Sequence, residues 1–306
     1  MSKQSSDLTR VGNTPLVELK KIKETFNLKS NIFAKIEGLN PAGSAKDRIA
    51  SFIIESYANQ GLLNENTVFI EATSGNTGIG IAYICALKGY KAIIVMPDNM
   101  SKERIQAITS YNAEVILTPS AQGMQGAVQK AEEIKKNNPN AIIFDQFNNP
   151  LNPLAHYNST GPEIWNDLSG NVDIFVAGIG TGGTISGTGK FLKEQNKDIQ
   201  IVGVEPENSP LLTKGYAGAH KIQGIGANFV PSTLNKDILD NVLTVSDEEA
   251  YYYTNLLYKT ENILAGISSG CALFAAIEIA KQQENKNIVV LFADSGDKYF
   301  STGVFD

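Results

Sequence analysis

The stretch "TVFIEATSGNTGIGIAYICALKGYKAIIVMP" (67–97) decides the fold. It begins and ends with short apolar runs rich in Ile and Val, over 67–72 and 91–97. Apolar residues between them, over 76–89, recur with the spacing of a helix. Two buried strands joined by a helix predict a βαβ unit, in which the strands lie parallel and helices cover the sheet.

The same alternation continues in both directions along the chain. Beyond residue 97 it predicts helices over 101–112 and 123–137 and strands over 113–119 and 141–147. After a break it predicts strands over 172–178, 199–206, 241–246 and 287–294, and helices from about 184, from 247 and over 269–283. The fold class is therefore α/β, with two domains, each a mainly parallel twisted sheet flanked by helices.

The length of 306 residues also favours two domains, since one core rarely serves so long a chain. The Asn- and Pro-rich segment "NNPLNPLAHYNSTGP" (148–162) reads as a crossover between them. We expect an N-terminal domain over 39–147, and a C-terminal domain formed by 1–38 together with 148–306. A long irregular stretch is expected over 207–240.

Three local signals mark the ends of helices. Ser44 and Asp47 fit a capping pattern, in which the Ser44 hydroxyl binds the Asp47 N–H and the carboxylate faces the positive helix end. Ser246 and Glu249 form a second capping box. Asn112 follows a helix where a left-handed residue is often needed, which Asn tolerates well.

Composition excludes several function classes. A net charge of −6 argues against nucleic acid or an anionic membrane as the main partner. The polar start "MSKQSSDLTR" (1–10) has no apolar signal segment, and no run is long enough to span a bilayer, so we expect a cytoplasmic protein. Cys85 and Cys271, far apart in apolar patterns, are expected to be buried, reduced thiols.

Metal chemistry and a serine triad are not supported by the sequence. It contains two histidines, His156 and His220, and neither has a neighbour at metal-ligand spacing. The pattern G-x-S-x-G occurs in "GISSG" (266–270), but no predicted strand leads into it, as a nucleophile elbow requires. We therefore expect no metal site, and both histidines are interpreted as structural or solvent-exposed.

Two glycine-rich loops lie where predicted strands lead into helices. In the first, "ATSGNTGIG" (72–80), Thr73, Ser74, Asn76 and Thr77 surround Gly75. Hydroxyl groups and backbone N–H groups at a helix start suit a small anion, most obviously a carboxylate. A polar capping turn would account for one or two of these residues but hardly for four.

The second loop, "VAGIGTGGTISGTG" (176–189), contains G-x-G-x-x-G at positions 178–183. With Glu205 ending the next strand, it matches the dinucleotide-binding fingerprint, so a nicotinamide oxidoreductase remains an alternative. Thr181 and Thr184 add hydroxyl donors that suit a phosphate monoester. Pro206 follows Glu205 where a ribose-binding carboxylate normally lies in an open turn. The loop alone leaves both ligands open.

Nine blocks, in order along nearly the whole chain, give a specific resemblance. They are "VGNTPLVEL", "NPAGSAKDRIA", "TSGNTGIGIA", "MPDNMSKER", "HYNSTGPEIW", "GIGTGGTISG", "KIQGIGANFVP", "ILAGISSG" and "ADSGDKYFSTG". The chain resembles the cysteine synthase (O-acetylserine sulfhydrylase) and cystathionine β-synthase family of pyridoxal-phosphate enzymes, fold type II, tryptophan synthase β-like. That resemblance implies a cofactor, pyridoxal 5'-phosphate, in the cleft between the two domains.

The resemblance also implies a role for individual residues. Lys46 would hold the cofactor as a Schiff base and serve as the catalytic base. Asn76 would bind the 3-oxygen of the ring and Ser268 its nitrogen. Ser268 is also interpreted as a cap of the helix that follows it, and both roles could hold together. The phosphate would be cradled by Gly180, Thr181, Gly182, Gly183 and Thr184. The substrate carboxylate would meet Thr73, Ser74, Thr77 and Gln146, with Gly224 in a bordering loop.

The implied reaction is β-replacement through an aminoacrylate, with O-acetyl-L-serine and sulfide giving L-cysteine and acetate. Release of sulfide from cysteine, or synthesis of lanthionine or cystathionine, remains open on the same scaffold. So does a non-catalytic role as a docking partner. The resemblance further implies a homodimer and a possible partner in the C-terminal tail of serine acetyltransferase. Ala42 and Ala45 depart from the usual family residues, which bears on substrate preference.

Overall fold

The structure, a computed structural model, describes residues 11–306. The expectation about a signal segment concerns residues 1–10 and lies outside this range. The described chain divides into two units. The first contains Val11 and Asn40–Leu151, and the second contains Gly12–Leu39 and Asn152–Asp306.

Strands and helices alternate through both units. The strands are β1 (Leu16–Glu18), β2 (Asn31–Ile36), β3 (Val68–Ala72), β4 (Lys91–Pro97), β5 (Glu114–Thr118), β6 (Ala141–Ile143), β7 (Ile174–Gly178), β8 (Gln200–Pro206), β9 (Asn241–Val245) and β10 (Asn287–Phe292). The helices are α1 (Lys20–Thr25), α2 (Lys46–Asn59), α3 (Asn76–Lys88), α4 (Lys102–Thr109), α5 (Gly123–Asn137), α6 (Leu151–Asn158), α7 (Thr160–Asp167), α8 (Gly183–Gln195), α9 (Leu211–Lys214), α10 (Asp247–Glu261) and α11 (Ile267–Gln282). Along residues 11–306, no helix is long and apolar enough to cross a membrane.

The sheet of the first unit is wholly parallel, with strand order β5-β4-β3-β6. Small residues of α5, Ala127 and Ala131, pack with Val68, Ile70 and Val95 of the sheet. The parallel arrangement brings the carboxyl ends of all four strands to one edge, which is where ligands bind in such sheets. The loop after β3 lies at this edge.

The sheet of the second unit has the order β1-β2-β10-β7-β8-β9, and its strands are parallel except for β1. Both of its faces are covered. Along β7, Ile174 and Val176 pack into one apolar cluster with α11, whereas Phe175 and Ala177 pack into another with α8. Burial on both faces explains why the strands read as continuous apolar runs. The predicted fold class is confirmed.

The structure corrects several predicted boundaries. The strand expected over 141–147 ends at Ile143, because Asp145 adopts a left-handed conformation with φ of 55° that a strand cannot continue through. Most of the segment 148–162 is helical and belongs to α6 and α7, whereas Asn148, Asn149 and Ser159 lie outside both helices. The irregular stretch contains the short helix α9. The sequence pattern did not predict β1, α1 or β2.

The predictions about helix ends have mixed outcomes. The Ser246–Glu249 capping box is confirmed, with both hydrogen bonds formed, and Asn112 is left-handed with φ of 59°. The Ser44 prediction is wrong. Its hydroxyl accepts from the N–H of Lys46 at 3.2 Å, and the Asp47 carboxylate accepts from the N–H of Ala42 at 2.6 Å. The loop before α2 is therefore tied to the helix start from both sides.

Both cysteines are buried and free, as expected. Burial raises the pKa of each thiol above its usual value, so neither Cys85 nor Cys271 provides a thiolate at neutral pH. They contribute apolar volume to α3 and α11 rather than reactivity.

Candidate functional site

The first group of predicted site residues lies at the edge of the parallel sheet in the first unit. Thr73 and Ser74 form the loop between β3 and α3, and Asn76 and Thr77 are the first two residues of α3. The Thr73 N–H donates to the carbonyl of Val95 at 3.0 Å, which anchors the loop to β4. The first N–H groups of a helix have no partner inside it, so the start of α3 offers donors for an anion.

Lys46 lies near this loop because α2 and α3 pack closely. It is the first residue of α2 and is half-buried. A methyl group on Gly80 would lie only 3.1 Å from the Lys46 carbonyl oxygen, so the second turn of α3 touches the start of α2. The structure therefore brings the predicted lysine and the predicted anion loop together within one unit.

Gln146 joins the same group through a side-chain hydrogen bond. Its Oε1 accepts from the Thr77 hydroxyl at 2.6 Å, and the two side chains are 5% and 2% exposed. The sequence separation of Gln146 from Thr77 is large, and β3 and β6 bring them together as neighbouring parallel strands.

Two residues that sequence reasoning missed hold this group in place. Glu71, next to last in β3, accepts from the backbone N–H groups of Asp145 and Gln146 at 2.9 and 3.3 Å. Burial raises the pKa of its carboxyl from 4.5 to about 7. Arg104 of α4 donates from Nη1 to the carbonyl of Ser74 at 2.7 Å. An acid inside an otherwise apolar strand was the available signal for Glu71.

The second group of predicted residues lies in the loop between β7 and α8. A methyl group on Gly180 would collide with the carbonyl oxygen of Gly224, and Gly182 is left-handed with φ of 81°. Glycine is therefore required at both positions, for close approach at one and for conformation at the other. The loop leads into the N-terminus of α8, which begins at Gly183.

The threonines of this loop are held by buried polar partners. The Thr181 hydroxyl accepts from Nδ2 of Asn152 at 3.1 Å, and the Thr181 carbonyl accepts from the Thr233 hydroxyl at 2.6 Å. Thr184 lies 3.2 Å from Nε2 of His156, whose Nδ1 lies 2.8 Å from the Thr160 hydroxyl. His156 is therefore structural, as interpreted from the sequence, and its ring orients Thr184 of the loop.

Ser268 and Gly224 complete the group in the second unit. Ser268 is the second residue of α11, is 5% exposed, and follows the N-cap Gly266, so its interpretation as a helix cap is wrong. Gly224 is left-handed with φ of 94°, and a methyl group there would lie 3.9 Å from Ser268 Oγ. Because Gly224 also touches Gly180, these residues lie side by side.

The dinucleotide alternative fails at Glu205. Its carboxylate accepts from the N–H of Leu212 and from both the N–H and the hydroxyl of Thr213, at 2.6 to 2.9 Å. These three bonds tie the acid to the start of α9. A ribose-binding carboxylate must instead accept from sugar hydroxyls. The structure therefore assigns Glu205 to the fold and removes the acid on which the nicotinamide interpretation depended.

Comparisons with known proteins agree with this geometry. Residues 8–294 match the family described as pyridoxal-phosphate dependent enzyme. The chain is 50% identical over 295 residues to cysteine synthase B of Campylobacter jejuni, covering 96% of each protein.

Solved structures give the same result. A hydrogen sulfide-producing enzyme from Fusobacterium nucleatum is 46% identical, with a TM-score of 0.92 over 98% of this chain and 100% of that one. O-Acetylserine sulfhydrylase isoform 3 from Entamoeba histolytica is 39% identical, with a TM-score of 0.94 over 98% of this chain and 90% of that one. A match of this extent, together with two glycine-rich loops that each lead into a helix, means that the chain belongs to the family of pyridoxal-phosphate dependent enzymes.

Proposed function

We propose that the protein catalyses β-replacement on a β-substituted L-alanine, using O-acetyl-L-serine and sulfide to form L-cysteine and acetate. The observation that carries this proposal is the packing of Lys46 against α3, whose N-terminus begins one turn earlier at the loop 73–77. This packing combines an amine with a carboxylate-binding loop, the two groups that an amino-acid substrate needs. The relative from Campylobacter jejuni is named as a cysteine synthase, which supports the same reaction.

The residues present fit pyridoxal 5'-phosphate. Gly180 packs against the Gly224 backbone with no room for a side chain. Thr181 and Thr184 add hydroxyl donors, and backbone N–H groups with hydroxyl groups suit a phosphate dianion. We assign the phosphate to Gly180, Thr181, Gly182, Gly183 and Thr184, the ring 3-oxygen to Asn76 and the ring nitrogen to Ser268. When bound, the cofactor supplies an electron-withdrawing ring that lets the β-substituent leave.

The chain's own residues orient the substrate and move one proton. Lys46 would hold the cofactor, and its free amine would act as the base that removes the α-proton of the substrate. Thr73, Ser74, Thr77 and Gln146 bind the substrate carboxylate, with Gly224 bordering the site. Donors at a helix N-terminus favour an anion, by about 0.3–1 kcal/mol at an exposed site and up to about 2 kcal/mol when partly buried. Such donors fix the orientation of the substrate more than they add to its affinity.

A sulfide-releasing reaction is the second candidate, because the related enzyme from Fusobacterium nucleatum is described as hydrogen sulfide-producing. In that case cysteine would take the place of O-acetylserine, and the same proton transfer at Lys46 would expel sulfide. Lanthionine or cystathionine synthesis would differ only in the thiol that adds. We further propose a cytoplasmic homodimer and, as a partner, the C-terminal tail of serine acetyltransferase.

The deciding experiment measures products and visible absorbance together. We expect purified protein with pyridoxal 5'-phosphate to be yellow, and to form cysteine from O-acetylserine and sulfide much faster than it releases sulfide from cysteine. Faster sulfide release would favour the second candidate. Absence of the yellow band after addition of the cofactor would refute both.

A further inference from the structure

We propose that Glu71 is the positioning residue of the substrate-carboxylate site: it fixes the backbone of Asp145 and Gln146 so that the Gln146 amide, whose Oε1 accepts from the Thr77 hydroxyl, presents its NH₂ group to the carboxylate. This inference rests on the proposed function and deepens it. It assigns a role to a buried acid that binds neither cofactor nor substrate in the proposed reaction.

The carboxylate of Glu71 accepts from two backbone N–H groups and also interacts with the Gln146 side chain. The side chain is 4% exposed. Its Oε2 lies 2.9 Å from the Asp145 nitrogen, and its Oε1 lies 3.3 Å from the Gln146 nitrogen. Two consecutive N–H groups therefore each donate to a separate oxygen of one carboxylate, and an ionised carboxylate accepts both bonds without offering a competing donor.

The segment that Glu71 holds is not regular structure. It follows β6, which ends at Ile143, and Asp145 adopts the left-handed φ of 55°. The Asp145 carbonyl accepts from the N–H groups of Asn148 and Asn149, at 3.1 and 2.9 Å, which closes a tight turn. A non-glycine residue keeps this conformation only when its surroundings impose it. The carboxylate of Glu71 is one of the groups that do so.

The turn fixes the position of the Gln146 backbone. The hydrogen bond from the Thr77 hydroxyl, at 2.6 Å, fixes the position of the Gln146 Oε1. Gln146 is 5% exposed, so a displaced backbone leaves it little room to compensate. Glu71 thus acts on the substrate through Gln146. Burial raises the pKa of Glu71, with a smaller contribution from the nearby Asp145 carboxylate, whereas the two backbone hydrogen bonds and a side-chain hydrogen bond with Gln146 oppose that rise.

The test compares Glu71→Gln with wild-type holoenzyme. An amide would turn its NH₂ group toward one of the two N–H groups, so the turn loses a hydrogen bond while side-chain volume is kept. We expect KM for O-acetylserine to rise about tenfold, with kcat, KM for sulfide and cofactor content within about twofold of wild type. The exposed Glu65→Gln in the same unit is the matched control and should match wild type.

A double-mutant cycle tests whether Glu71 acts through Gln146. Gln146→Ala alone should raise KM for O-acetylserine, and adding Glu71→Gln should raise it little further, because the target of the positioning is gone. Multiplying effects would overturn the proposal, as would an unchanged KM in folded Glu71→Gln. If Glu71→Gln does not fold, Glu71→Asp, which keeps the charge with a shorter reach, should show an intermediate rise in KM, and a KM equal to wild type would count against the role.

The outcomes distinguish this inference from the proposed function. A wild-type holoenzyme that does not convert O-acetylserine refutes the proposed substrate, and the same cycle is then run with cysteine. A wild type that converts O-acetylserine, beside a Glu71→Gln variant with wild-type KM, refutes the positioning role alone.

Discussion

The two glycine-rich loops follow the same plan and are held by opposite means. Each follows a parallel strand and begins a helix, α3 in one unit and α8 in the other. The loop over 73–77 is fixed from outside by charged groups, through Arg104 at Ser74 and through Glu71 behind Gln146. The loop over 178–183 is fixed by close packing and by neutral partners such as Asn152 and Thr233.

This difference matches the ligands assigned to the two loops. A resident cofactor needs a rigid cradle, and close backbone packing leaves no alternative conformation. A substrate enters and leaves in every turnover. Its hydrogen-bond donors are oriented by side chains, so a substitution of one such side chain can change substrate affinity by a small amount. Changes at the 178–183 loop should therefore act on cofactor retention, whereas changes around the 73–77 loop, apart from Asn76, should act on substrate KM.

The largest expected effect concerns Lys46, the proposed catalytic residue. Lys46→Ala should lower kcat by about 10³-fold or more, because it removes the covalent attachment and the base that takes the α-proton. The yellow band should also be lost, whereas the melting temperature should change little. Lys91→Ala, at the exposed start of β4, is the control. Retention of the band and of activity in Lys46→Ala would contradict the assignment.

Alanine at one glycine of each loop tests the contrast directly. Gly180→Ala places a methyl group against the Gly224 carbonyl, and overpacking of this kind costs about 3 kcal/mol, or roughly 100-fold in cofactor affinity. A methyl group on Gly75 would meet no described atom within 4 Å, and the residue has an extended backbone. We expect Gly75→Ala to keep wild-type cofactor affinity. Cofactor affinity is measured by fluorescence titration with pyridoxal 5'-phosphate. An equal loss of affinity in the two variants would contradict the different roles assigned to the two loops.

A stability measurement tests the cost of the buried acid near the 73–77 loop. Because burial raises the pKa of Glu71 to about 7, its protonated form favours folding, and this contribution is lost as the pH rises through that value. Relative to Glu71→Gln, the free energy of unfolding of wild type should fall by about 2–3 kcal/mol between pH 5 and pH 8. Urea unfolding at both pH values provides the measurement. Parallel pH profiles would show that the carboxyl titrates normally.

The smallest expected effect is at Arg104. Arg104→Gln loses the charged donor to the Ser74 carbonyl, a partly buried hydrogen bond whose loss should cost about 1 kcal/mol. We expect KM for O-acetylserine to rise about fivefold with unchanged cofactor affinity. Lys102→Gln, exposed on the same helix, is the control. A fall in cofactor affinity without a change in KM would reverse the roles assigned to the two loops.

Sequence periodicity predicted most of the fold because its signals are local. Parallel strands buried on both faces must be continuously apolar, so β3, β4, β7, β8 and β10 were evident. The capping box of Ser246 and Glu249 joins residues only three positions apart, so the sequence predicted it as well. The prediction for Ser44 failed because Lys46, rather than Asp47, is nearest to its hydroxyl, a choice made by the loop that precedes α2.

The sequence by itself determined the fold class, the two glycine-rich loops and the family resemblance, all of which depend on short segments. Only the tertiary structure decided which polar residues serve the site. It assigned Glu205 to α9, His156 to Thr184, and Glu71 to the turn before Gln146. The physical reason is that hydrogen bonds between neighbouring strands and helices join residues far apart in sequence. A local pattern carries no information about which distant donor a buried acceptor will meet.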